Sequence, residues 1–173
     1  MYFAPLAILS LSALSFAAPV VVPRQAGPVL KDTTYNAISI SGGQAGNAKA
    51  EASALFSALD LQNPENIDQA DLTFLNEVNQ VANDAETKAF NPAVEAASGT
   101  EATQIQNGKI KNKVLKLMAT VIKLQAQQAQ GDDVAAKLAE ETKKLNTNVA
   151  LDTAAAGQVS IAEPFDAKIS GSG

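Results

Sequence analysis

The chain has 173 residues, of which 46% are hydrophobic, and a formal net charge of −5. This acidic balance argues against a nucleic-acid partner, because phosphate binding needs a positive field. The sequence contains no cysteine, so packing rather than disulfide bonds must hold the fold together. It contains no histidine either, so the usual general base and the strongest nucleophile are both missing. We therefore expect no catalytic residues, no metal site and no cofactor.

The N-terminus has the features of an export signal. Residues 4–16 form an almost uncharged apolar run, which is long enough for a signal peptide and too short to span a bilayer. Ser15 and Ala17 then give the small-x-small pattern that signal peptidase requires. We predict that residues 1–17 are a signal peptide and that the protein is secreted and extracellular. The alternative interpretation is a buried N-terminal helix.

Two flanking segments differ in composition from the rest of the chain. Residues 18–35 are rich in proline, which fixes φ and removes backbone donors. We expect this segment to be an extended leader that is mobile or trimmed after Arg24. Residues 163–173 are predicted to be a polar C-terminal tail. A single helical domain is predicted to occupy residues 36–162.

Short strands are predicted at both ends of that domain. Residues 35–41 place Ile38 and Ile40 at period two, which favours a strand that ends at the following glycines. Residues 158–161 are a second candidate strand. The two segments would pair as a short two-stranded β-ribbon.

The first two predicted helices follow from periodicity and capping signals. Residues 44–58 place apolar side chains at helical spacing. Asp68 is well placed to cap a second helix, with Asp71 three residues further on. Pro92 is expected to interrupt this second helix, because proline pushes the preceding Asn91 away from helical dihedral angles.

A third, long helix and a fourth complete the predicted bundle. Residues 98–101 form a capping-box pattern that opens the third helix, and Gly131 is a natural stop. Asp132 is predicted to cap the fourth helix. Because the connection is so short, these two helices should form an antiparallel hairpin. The prediction is a mainly α fold, an up-and-down bundle of about four helices, in a monomeric protein.

Lysines along one side of the third helix are the candidate interaction surface. These lysines are Lys109, Lys113, Lys116 and Lys123. A basic amphipathic helix can lie on an anionic membrane surface or bind a partner. The same pattern arises when a bundle helix packs against two neighbours and points its lysines into water, which is the interpretation we favour. In that case Glu77, Asp84 and Glu86 of the second helix could offset the positive charge.

Other polar patterns have structural explanations. Asp68 with Asp71, and Glu140 with Glu141, are carboxylate pairs, but capping explains the first pair and a solvated helix face explains the second. The glycine-rich stretch 42–47 lacks the Gly-Lys-Ser/Thr ending of a phosphate-binding loop. We interpret it as a turn.

Four stretches of the chain resemble the uncharacterised small secreted proteins of filamentous fungi. They are Gly46–Ala52, Ala89–Ala93, Lys109–Leu115 and Leu151–Gly157. The resemblance covers about residues 37–161. It implies a secreted fungal protein of effector or cell-surface type, and it transfers no activity and no catalytic residue.

These observations lead to two hypotheses about function. The first is a secreted non-enzymatic protein of effector or cell-wall-associated type, which acts through surface contacts with a protein or cell-wall partner. The alternative is an extracellular carrier of small apolar ligands or lipids, because alanine-rich helices with few aromatic side chains can leave space between them.

Overall fold

A computed structural model describes residues 27–171, so the predicted signal peptide lies outside the described residues. The α-helices are α1 (Tyr35–Ile38), α2 (Ala48–Leu55), α3 (Gln69–Ala85), α4 (Asn91–Ala96), α5 (Gly99–Ala129) and α6 (Ala135–Ala154). A 3-10 helix spans Pro64–Asn66 and a π-helix spans Glu86–Phe90. The strands are β1 (Thr33–Thr34), β2 (Gly43–Gln44), β3 (Val159–Ser160) and β4 (Lys168–Ile169). The predicted mainly α class, a helical bundle with a small β-ribbon, is confirmed.

Helix α5 lies at the centre of the bundle and packs against α2, α3, α4 and α6. Between Ile110 and Leu124 every residue is buried except Lys113, Lys116 and Lys123. A helix that is apolar almost all round is an interior helix. The buried face therefore covers most of the helix in this stretch, and the lysines form a narrow stripe.

The helices that flank α5 run antiparallel to it. The Ile161 amide, just beyond α6 and β3, donates to the Gln104 carbonyl near the start of α5 at 3.0 Å. Gly131, with φ at +104°, makes the turn between α5 and α6. The predicted helical hairpin is confirmed. Polar contacts between α3 and α5 run in opposite order along the two helices, so this pair is also antiparallel.

The strands form two separate antiparallel ribbons. In the first, β1 pairs with β4, with Thr33 opposite Ile169. In the second, β2 pairs with β3, with Gly43 opposite Ser160. The predicted strand over residues 35–41 is wrong, because Tyr35–Ile38 forms helix α1 instead. The reason is local, since the Thr34 hydroxyl accepts from the Ala37 amide and caps that turn.

Both flanking segments contribute to the packed core. The buried Asp71 carboxylate on α3 accepts from the Leu30 amide at 2.8 Å and from the Val29 amide at 3.1 Å. Leu30 and Ile169 are themselves buried. The packed domain therefore extends beyond the predicted limits of 36 and 162. Asp71 anchors the N-terminal segment rather than capping α3.

Pro92 does not interrupt the second helical segment. Asn91 has helical dihedral angles, φ −61° and ψ −50°, so the predicted break is wrong. The π-helix explains the difference, because the Asn91 amide donates five residues back to the Glu86 carbonyl. The wider turn accommodates the proline ring, which would otherwise clash with a carbonyl one turn earlier.

The predicted caps were only partly correct. The Asp68 carboxylate accepts from the Ala70 amide at 2.8 Å and caps α3, as predicted. Ser98 occupies the N-cap position of α5, but its side chain makes no capping hydrogen bond. Asp132 does not cap α6, which begins after Val134. The Asp132 carboxylate instead accepts from the Gln127 side-chain amide at 3.2 Å.

Tyr35 connects the N-terminal segment to two core helices. Its hydroxyl donates to Asn112 Oδ1 at 2.8 Å, and Asn112 Nδ2 donates to the Ala82 carbonyl at 2.8 Å. Burial raises the pKa of Tyr35, and the Ser39 and Ser41 hydroxyls offset part of this effect. The hydrogen bond to Asn112 also favours the protonated phenol.

Tyr35 should therefore ionise at higher pH in the folded protein than in the unfolded chain. Because the unfolded phenol loses its proton first, the contribution of Tyr35 to stability is complete below its ordinary pKa of about 10 and is lost as pH rises through the higher folded pKa. Absorbance of tyrosinate at high pH measures this, with the protein in urea as reference. In a chain without residues 1–17, Tyr35 is the only tyrosine, so Tyr35→Phe should abolish the signal. Equal midpoints in both states would contradict the assignment.

Gly108 marks the closest approach of α5 to the segment after α6. A Cβ atom at this position would overlap the Ile161 carbonyl oxygen, which is rigid backbone. We expect Gly108→Ala to lower the free energy of unfolding by about 1–3 kcal/mol in urea titrations, although alanine is the better helix former. Gln128→Ala on the exposed end of α5 is the matched control and should change stability little. A gain in stability from Gly108→Ala would show that the two backbones do not touch.

Candidate interaction surface

The predicted lysine stripe faces α3 along most of its length. Lys116 Nζ lies 2.6 Å from Glu86 Oε2, and Lys113 Nζ lies 3.7 Å from Glu86 Oε1. Further along α5, Lys123 Nζ donates to Asn76 Oδ1 at 2.8 Å. Three of the four lysines are thus half-buried contacts between helices, and they are not a continuous exposed surface.

Lys109 differs from the other three. It is half-buried, and within residues 27–171 it forms no ion pair. The stripe therefore divides into one lysine near the start of α5, a pair bound to Glu86, and Lys123 further along. These positions therefore belong to separate sets of contacts.

Only one of the three acidic residues expected to offset the stripe does so. Glu86, in the π-helix, binds two lysines, and its side chain is only 15% exposed. Asp84 pairs with Lys88 in its own helical segment. Glu77 instead accepts from the Ser170 amide at 2.6 Å and holds the C-terminal segment. The sequence identified the acidic residues near the lysines correctly. It could not show which of these residues contacts the lysines of α5.

The most buried lysine is Lys111, which lies outside the stripe. Its side chain is 1% exposed, and Nζ donates to the Gly42 carbonyl at 2.8 Å and the Gln44 carbonyl at 3.0 Å. Nζ also lies 2.9 Å from Glu51 Oε2. This single ammonium group therefore connects α5 to β2 and to α2. The only sequence signal was its displacement from the other lysines.

Asp152 on α6 has a similar connecting role. It is buried, and Oδ2 accepts from the Ala48 amide at 2.8 Å, at the first turn of α2. Asn47 occupies the N-cap position of α2 without a side-chain capping bond, so Asp152 supplies that acceptor from a distant helix. Within residues 27–171, Asp152 Oδ1 has no hydrogen-bond partner.

The outer face of α6 is a broad exposed surface. Only Leu145, Asn148 and Asp152 of its 20 residues are buried. Leu151 on α6 and Val159 just beyond it are each 49% exposed. Glu140 and Glu141 lie on this helix and both bind Lys144, at 2.7 and 3.0 Å. Glu140 is exposed, as predicted for a solvated face, but the Glu141 side chain is only 15% exposed, so that interpretation is wrong for Glu141.

Two properties of residues 27–171 bear on the other predicted site types. None of their helices combines the length and the apolar character needed to cross a membrane. In the same residues, acidic side chains do not gather into a group of three or more that could hold a metal ion.

Comparison with known proteins identifies a family model that matches most of the chain. A family model described as a domain of unknown function, DUF8454, matches residues 30–164. No curated protein and no solved structure matches the chain.

Removing the Lys111 ammonium should destabilise the fold strongly. Lys111→Met would leave two carbonyl oxygens without their donor and Glu51 without its cation, so we expect a loss of about 2–4 kcal/mol in the free energy of unfolding. The upper end is limited because Glu51 is partly solvated. Lys109→Met on the same helix is the control and should stay within about 0.5 kcal/mol of the unchanged protein. Similar losses for both variants in urea titrations would contradict the connecting role of Lys111.

Proposed function

The chain belongs to the DUF8454 family, whose description assigns no activity, and we propose that it is a secreted, non-enzymatic protein that acts through its surface. On this proposal it is an effector or a cell-wall component of a filamentous fungus, with a protein or wall polymer as its partner. The apolar run at residues 4–16 supports export. The similarity to fungal small secreted proteins supports a filamentous fungus as the source organism.

The exposure of α6 is the observation that carries the proposal. A helix of 20 residues with three buried positions contributes little to the core relative to its length. Its outer side presents small and apolar side chains together with polar ones. The exposed residues on this side include Ala136, Ala139, Lys143, Ala150, Leu151 and Ala154. Small side chains allow a partner to approach the helix closely, and Leu151 offers apolar area for burial on contact.

The use of the buried polar groups supports a non-enzymatic role. Asp71, Lys111 and Asn112 are the kind of buried groups that enzymes use for chemistry. Here each of them binds the backbone of another segment, so its hydrogen-bonding capacity serves the fold. The exterior is then the part of the molecule available to a partner.

The packing of the alanines supports the surface role over the carrier. Ala82 and Ala85 of α3 and Ala119 of α5 are fully buried. These small side chains bring the helices close together and fill the space that a carrier would need for a ligand. Organic extraction of protein from its native source tests the alternative, because a stoichiometric lipid in the extract would favour the carrier.

A binding experiment with two matched variants tests the proposal. Labelled protein is incubated with isolated fungal walls and with plant tissue, and the bound fraction or tissue response is measured. We expect Leu151→Glu to weaken binding about tenfold, because burying a leucine contributes about 1.5–3 kcal/mol. Leu61→Glu changes another exposed leucine, in a loop that lies beside the half-buried Leu138 of α6 and not on the outer side of that helix, and should bind normally.

Two results would count against the proposal. Absence of both binding and response on all of these materials would remove its support. Equal effects of the two substitutions would show that the outer face of α6 is not the contact surface.

A further inference from the structure

A small cleft opens where α3, α5 and α6 meet. Its volume is about 170 Å³. Polar side chains from all three helices line it: Asn76 and Asn79 from α3, Thr120 and Lys123 from α5, and Lys137 and Glu141 from α6. Side chains that point between packed helices are usually apolar, so a polar lining drawn from three helices is unusual for a bundle.

Lys123 forms one wall of this cleft and has only a neutral partner. Its ammonium group donates to Asn76 Oδ1 at 2.8 Å. Among residues 27–171, no carboxylate lies within ion-pair distance of it. By contrast Lys111 and Lys116, on the same helix, each reach a glutamate. Lys123 is therefore, like Lys109, a half-buried lysine that the described residues leave without a counter-ion.

A second ammonium group lies across the cleft. Lys137 of α6 also forms no ion pair in the described part of the chain. Burial lowers the pKa of Lys123, and the positive charge of Lys137 lowers it further. Two like charges that face one small space disfavour each other, and an anion between them would remove that cost.

The remaining polar groups limit what the cleft can hold. Asn79 Nδ2 donates to Thr120 Oγ1 at 2.7 Å, so these two groups satisfy each other. Asn76 accepts from Lys123 through Oδ1, which leaves its Nδ2 as a donor. Glu141 carries a negative charge, and Lys144 binds it at 3.0 Å. This carboxylate on the wall repels any anion, and it repels a highly charged polyanion more than a small anion.

We propose that this cleft is a binding site for a small oxyanion, a phosphate or carboxylate group, which Lys123 and Lys137 hold between them with the Asn76 amide as a third donor. Ammonium groups and side-chain amides are the donors that bind such oxygens in proteins. The site lies in the groove between α3 and α6, away from the outer face of α6. It therefore goes beyond the proposed function and stands or falls independently of it.

Titration with inorganic phosphate, followed by nuclear magnetic resonance at constant ionic strength, tests the site. We expect saturable shifts of the Asn76 and Asn79 side-chain amides. Lys123→Met should weaken the apparent affinity at least tenfold. Lys49→Met removes an exposed lysine of α2, outside the cleft, and should leave the affinity unchanged. Acetate as a second probe shows whether the site prefers phosphate or carboxylate, and saturable binding of either one supports the proposal.

A second variant keeps the test valid if Lys123→Met fails to fold. Lys137→Gln changes the exposed wall of the cleft and should also weaken phosphate binding, while Tyr35 fluorescence reports that both variants are folded. Shifts that do not saturate, or that are equally large around Lys49 and Lys143, would overturn the proposal. So would an unchanged affinity in both folded variants.

Discussion

Helix α5 has to be covered on nearly all sides, and the other elements are arranged to provide that cover. Its apolar positions would expose a large hydrophobic area if any neighbouring helix were removed. Helices α3 and α6 cover two sides, and α2 with the β2–β3 ribbon lies on a third. The stripe beside α3 contains the lysines, whose long side chains can keep their ammonium groups near solvent while their stems stay packed.

Buried polar groups on α5 determine where the irregular segments attach. Asn107 donates to the Val159 carbonyl at 3.0 Å, Lys111 holds Gly42 and Gln44, and Asn112 binds Tyr35. Each contact satisfies a polar group that would be costly to bury alone. These contacts are directional. They therefore fix the positions of connecting segments that contain too few apolar side chains to be fixed by hydrophobic packing alone. Burial of apolar surface drives the packing of the helices, and hydrogen bonds from the polar groups of α5 hold the connecting segments in one arrangement.

The features that could be predicted from the sequence depend on local interactions. The long helices, the Asp68 cap and the turn at Gly131 follow from periodicity and from neighbours within one turn. The packing of residues 27–35 could not be predicted, because it depends on Asp71, about forty residues away. The continuation of the helix through Pro92 was missed for another reason, since a π-turn removes the clash that normally makes proline a breaker.

The candidate site shows the same division between local and distant contacts. The sequence placed the lysines on one side of α5, and most of them do face α3. It could not show that Lys123 and Lys137 line the same cleft, because these residues come from different helices and no fixed spacing relates them. Lys111, outside the stripe, has the largest structural role of the α5 lysines, and only its burial in the folded chain makes this visible.

The pairing of β1 with β4 has a consequence for how this domain can be rearranged. Thr33 lies opposite Ile169, so the first and last described segments leave the bundle side by side. A short linker could join them, and new ends could be opened at the exposed turn around Gly131, where no strand pairing would be lost. A chain permuted in this way would have its elements in a different order and would still form the same bundle.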